Sequence, residues 1–197
     1  MLGAGSAAIG ASALVGSGAF TAVASERTVS VRAAHDENAY MGLKEVPYSP
    51  NSSYVDFKDG HLRIQMDEAN PNLEDEELGT GVNSDSITVF KDLFRVRNQG
   101  KQPIYVFAFL KGDKADRVGL FGGGFSPCWG LKLDVGEYED IGLITNTLGI
   151  PAETQLVDDM YIVAIGEENP EDGDHEAAAE SYVPDDAESS EALPDDE

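Results

Sequence analysis

The chain reads as an all-β protein, an antiparallel Greek-key or jelly-roll-like β-sandwich of about seven to nine strands. Three observations predict it. Apolar and polar residues alternate in short runs bounded by turn residues, as where Leu62, Ile64 and Met66 interleave with Arg63 and Gln65. One run, Pro103-Ile104-Tyr105-Val106-Phe107-Ala108-Phe109-Leu110, is β-branched and aromatic and apolar on both faces, which suits a central sandwich strand. A helical pattern of any length is missing; Leu156 to Met160, after Pro151, offers a single turn.

Taken in order, Thr28-Val29-Ser30-Val31-Arg32-Ala33 alternates as a short strand. Tyr54-Val55-Asp56-Phe57 and Leu62 to Met66 form a hairpin across Asp59-Gly60, a turn pair that tolerates positive φ. Asp67 to Asp85 is a long acidic surface loop. Ile87-Thr88-Val89-Phe90 and Leu93-Phe94-Arg95-Val96-Arg97 make one long strand or a bulged pair, and Asn98-Gln99-Gly100 turns the chain into 103–110. Gly119-Leu120-Phe121-Gly122-Gly123-Gly124 lacks the phosphate-loop spacing and reads as a flexible connection or a place of close backbone approach. Leu131 to Val135, a turn at Gly136-Glu137, Ile141 to Thr145 and Met160 to Ile165 complete the set.

Charge bounds the function. The chain has 37 acidic and 13 basic residues, a net charge of -24. Residues 167–197 hold 14 acidic and no basic residues, yet the remainder, with 23 acidic and 13 basic, is still at -10. An acidic excess over the whole surface opposes nucleic acid and anionic lipid, because counterion release needs cations. It fits a high-salt solvent, where screening over about 3 Å at molar salt removes self-repulsion. The expected partners therefore include no nucleic acid.

The domain plan follows from composition. Residues 1–24 are uncharged, rich in Gly, Ala and Ser, and end at Ala22-Val23-Ala24, whose small residues suit a signal peptidase. No basic n-region precedes them, so the expectation is an export signal truncated at its N-terminus, with a retained membrane anchor or a buried hairpin as alternatives. Large apolar residues are too few for a good span, so no stable membrane span is expected in the mature chain. Residues 25–166 form the sandwich, with 25–33 as a free leading strand, and 167–197 read as a disordered acidic tail.

A search for chemistry returns little. Only His35, His61 and His175 are present, none in a zinc motif, and Cys128 is the sole cysteine, read as a small buried hydrophobe. No catalytic residue and no cofactor site is assigned. Ca²⁺ is the one ion with a candidate oxygen set, Asp67, Glu68, Glu74, Asp75, Glu76 and Glu77, set against a simply solvated loop. Asn51-Ser52-Ser53 is a glycosylation sequon if the chain is exported.

Gly16-Ser17-Gly18-Ala19-Phe20-Thr21, followed by Glu26-Arg27-Thr28-Val29-Ser30-Val31, resembles the start of a group of secreted haloarchaeal proteins of unassigned function, distant relatives of the TasA/camelysin family. In that family a signal peptide ending Gly-x-x-Ala-x-Phe gives way to a β-sandwich. Leu93 to Gly100, followed by Ile104-Tyr105-Val106, is similar to the strand–Asn-x-Gly–strand hairpin that carries much of the core in TasA-type domains. The likeness covers the first 45 residues and, more loosely, 87–110. It implies an extracellular fibre, as in TasA and archaeal bundling pili and threads, where each subunit inserts its N-terminal strand into its neighbour. Camelysin-like members have been called metalloproteases; this chain has no zinc ligand motif, so that activity is not carried over.

The expected protein is thus a secreted filament subunit at the cell surface or in an extracellular matrix, with identical subunits as partners. Thr28, Val29, Ser30, Val31, Arg32 and Ala33 would form the subunit interface. The alternative is a monomeric secreted or cell-surface binding module in which the same segment is the first strand of its own domain. Alternation alone does not separate the two.

Overall fold

The computed structural model describes residues 35–74, 79, 81–168 and 173–190, without the side chains of 73 and 74. The leading strand expected at 28–33 and the proposed signal at 1–24 lie outside the described residues. Among the described residues there are ten strands: β1 (Met41–Glu45), β2 (Val55–Lys58), β3 (His61–Ile64), β4 (Ile87–Asn98), β5 (Ile104–Lys111), β6 (Val118–Phe121), β7 (Trp129–Leu133), β8 (Tyr138–Asn146), β9 (Asp159–Gly166) and β10 (Glu188–Ser189). One short α-helix, α1 (His175–Glu180), accompanies them. No helix among them is long and apolar enough to cross a membrane.

Every strand pair is antiparallel. The first sheet runs β1-β4-β8-β6. In the second, β9 lies along one edge of β5, while β7 and β10 share the other. From β4 to β9 the chain changes sheet at every connection, an alternation that makes the sandwich jelly-roll-like. The fold class is as expected, with one strand beyond the expected range. β1, β6 and the two-residue β10 are strands that the sequence patterns did not mark.

The alternation in each strand sets the core. Phe94, Val96, Leu120, Ile141 and Leu143 of the first sheet meet Val106, Ala108, Leu110 and Leu133 of the second. Each large side chain contributes roughly 1.5–3 kcal/mol on burial. The β2-β3 hairpin turns at Asp59 (φ 54°) and Gly60 (φ 86°), the left-handed pair that a two-residue turn requires. It adds Val55 and Leu62 to the core and holds Arg63 against Asp56 at 2.5 and 3.1 Å. β4 is the single long strand with a bulge: its register against β8 shifts between Phe90 and Phe94, and Asp92 sits at φ 54°.

Four readings are corrected. Asn98-Gln99-Gly100 does not close a hairpin, because β4 and β5 belong to different sheets. It is an arch, fastened by buried Asn98, whose Nδ2 donates to the carbonyls of Gln102 (2.8 Å) and Leu133 (3.0 Å). Gly119 to Phe121 is strand rather than flexible connection, paired antiparallel with Gly142 to Ile144 of β8. The turn expected at 156–160 is absent; that stretch is irregular and leads into β9.

The fourth correction is the largest. Within the tail expected to be disordered, Gly173 to Ser190 forms α1, then returns as β10 to pair with Leu110 and Phe109. Asp174 caps the helix by accepting from the Ala177 amide at 3.0 Å. Ala178, Ala179, Val183 and Ala187 pack on Tyr105, Phe107, Phe109, Trp129, Tyr161, Val163 and Ile165, the face of the second sheet turned away from the core. Small residues hid this in a sequence dominated by carboxylates.

Candidate functional site

A sandwich exposes sheet edges, and each edge here is finished differently. The outward edge of β6 is closed: the Cys128 amide donates to the Leu120 carbonyl, and the Leu120 amide donates to Ser190 Oγ, both at 2.8 Å. β1 is five residues long and carries Lys44 and Glu45, which blunt an edge. β7 is equally short, has Gly130 at φ 63°, and its register against β5 shifts between Val106 and Phe107.

Among the described residues β9 has none of these protections. Eight residues long, it carries no charge from Met160 to Gly166, and its pairing among the described residues is with β5 alone. The Glu167 amide donates to the Pro103 carbonyl at 2.9 Å. Antiparallel alternation then turns the amides of Met160, Ile162 and Ala164 away from β5. No described residue accepts from them. A long, apolar, unpaired edge is a template for a further strand.

The sequence-derived interface residues Thr28, Val29, Ser30, Val31, Arg32 and Ala33 lie outside the described residues, as do calcium candidates Asp75, Glu76 and Glu77 and the side chain of Glu74. Asp67 spends Oδ1 on the Ala69 amide and the Gln65 side chain, both at 3.0 Å. Glu68 is exposed. Among the described residues no group of three or more His, Cys, Asp or Glu is placed to hold a metal. Asn51 lies in a 3-10 turn and its Nδ2 donates to the Lys91 carbonyl at 2.7 Å.

The histidines do not converge. His61 stands 3.5 Å from Asp36 and His35 packs over Gly60, both at the β2-β3 hairpin. His175 is on the other sheet, its ring 4.2 Å from that of Tyr105. Cys128 is 1 % exposed, and burial, with the Glu139 charge adding to it, pushes its thiol up to about 12. A thiol held protonated is not a nucleophile.

One feature escaped the sequence reading. An open cleft of about 320 Å³ lies between the β4 bulge (Lys91, Asp92), the loop after β6 (Gly122 to Phe125) and the start of β8 (Tyr138 to Asp140). Most of its charges are spent internally. Glu139 Oε1 accepts from the Gly123 amide, Arg95 grips Asp140 at 2.6 and 2.9 Å, and Lys91 stands 4.8 Å above the Phe125 ring. The Asp140 bond raises the Arg95 pKa further. Only strand pairing brings these residues together, so no local motif announces them.

Comparison with known proteins adds one match. A family model described as protein of unknown function DUF1102 matches residues 34–127, which contain β1 to β6 and end one residue before Cys128. No curated protein matches. No solved structure matches either.

Proposed function

We propose that the mature chain is a secreted structural subunit of an extracellular filament, at the cell surface or in a matrix, built from identical subunits by donation of the N-terminal strand. The observation that carries this reading is the outward edge of β9, apolar and unpaired among the described residues. The alternating segment 28–33 is the candidate donor, and its likeness to TasA-type N-termini supports the choice.

The energetics are adequate for assembly. Val29 and Val31 would each contribute roughly 1.5–3 kcal/mol if fully buried. Backbone hydrogen bonds to β9 would add about 0.5–1.5 kcal/mol each. Association costs at least about 4 kcal/mol, so one strand is enough only if most of its contacts form.

The second reading, a monomeric secreted or cell-surface binding module, has the cleft in its favour. There Phe125 and Tyr138, 45 % and 51 % exposed, stand beside Asp92 and Glu139.

Size-exclusion chromatography and electron microscopy in molar salt separate the two, using the mature chain and a chain lacking 25–33. A filament subunit assembles only with the segment and keeps its β-sheet spectrum without it. A chain that stays monomeric at high concentration with a processed N-terminus, and loses stability on deletion, is a self-contained module.

A further inference from the structure

The strap from Gly173 to Ser190 is an electrostatically improbable lid. It carries six carboxylates and no lysine or arginine, and it lies on a chain that is itself strongly acidic. Asp186 of the strap lies 2.9 Å from Lys111 Nζ. Its apolar contacts come from Ala178, Ala179, Val183 and Ala187, which bury little surface each. Two anchors fix its end: the Ser190 amide donates to the Ala108 carbonyl at 2.9 Å, and buried Ser190 Oγ accepts from the Leu120 amide.

We propose that this strap is a salt-dependent latch. It stays docked on the second sheet when like-charge repulsion is screened and comes away as ionic strength falls, while the sandwich beneath remains folded. Release uncovers the aromatic face of β5 and β9 and vacates the part of the β5 edge held by β10. The geometry permits this because the sandwich's apolar core lies on the opposite face of the sheet and contains no strap residue, the strap's tie to β6 running through Ser190. Between about 1 M and 0.1 M salt the screening length grows from about 3 to about 10 Å, which sets the six strap carboxylates against the net negative charge of the rest of the chain.

Trp129 reports on the latch. It is the only tryptophan of the chain, and it sits in the cluster that the strap covers, edge-on to Phe107 and Phe109 at 5.1 and 5.0 Å. In the full chain, lowering salt should red-shift its emission and raise acrylamide quenching several-fold, before the far-ultraviolet β-signal is lost. A variant with Glu176→Gln, Glu180→Gln, Asp185→Asn and Glu188→Gln should keep the blue-shifted emission at low salt. Ala179→Asp, which buries a charge under the strap, should show the red-shifted emission at every salt concentration. The latch is refuted if tryptophan emission and β-signal change together in one transition, or if the neutralised variant releases at the same salt as the parent. The neutralised variant decides the matter even if Ala179→Asp fails to fold.

Discussion

The outer faces of the two sheets are finished in opposite ways. On the first sheet, Lys44 stands opposite Arg95, Arg95 opposite Asp140 and Arg97 opposite Tyr138, so charged and polar groups line the surface. On the second, Tyr105 faces Ile165, Phe107 faces Val163 and Phe109 faces Tyr161, and the C-terminal strap covers them. The first sheet is a simple amphipathic layer. The second is the middle of three layers, and β5 is apolar on both faces because each face meets protein. The β9 edge of the second sheet, however, is unpaired among the described residues, and that edge is where an assembly function would act.

Substitutions test this contrast in order of size. Phe109→Ala removes a 2 %-exposed ring from beneath the strap and should cost about 3–5 kcal/mol in chemical denaturation. A cost below that of an ordinary surface change would mean that the strap face is not a packed layer. Asn98→Ala should cost about 1–3 kcal/mol, because the carbonyls of Gln102 and Leu133 lose their donor at the arch between the sheets. Stability unchanged by that substitution would remove the arch as a fastening.

The first sheet's outer face should prove far more tolerant. A double-mutant cycle over Arg95 and Asp140 should return about 0.2–1 kcal/mol, shrinking as salt is added. A larger, salt-insensitive coupling would make this face a buried network instead. Cys128, between the sheets, should affect chemistry least. Its folded thiol is raised from about 9 to about 12, so the stability from burying it neutral is complete below the unfolded value and is lost as pH rises toward 12. Thiol reagents at mildly alkaline pH should therefore label it only on unfolding; rapid labelling of native protein would contradict its burial.

Much of this fold was legible from residue patterns. The hairpin at Asp59-Gly60 was readable because its turn needs positive φ, and the bulged strand 87–98 because its alternation breaks at Lys91-Asp92. The sheet to which each strand belongs was not readable. Asn98-Gln99-Gly100 has the composition of a hairpin turn, and only the buried bonds of the Asn98 amide make it an arch. The strap was invisible for another reason: it docks through alanines, while its carboxylates dominate any average over the segment. At the candidate site, the apolar run 160–165 was evident as a strand. That it is an edge among the described residues follows from pairing that no local pattern encodes.

Ala164→Pro tests the outward side of β9 most directly. The Ala164 amide points away from β5, so proline there removes a donor only from the outward side of β9. Light scattering of the mature protein in molar salt should show filaments for the parent and monomers for the variant, with closely similar melting temperatures. Equal assembly by the variant would show that no strand is added along β9.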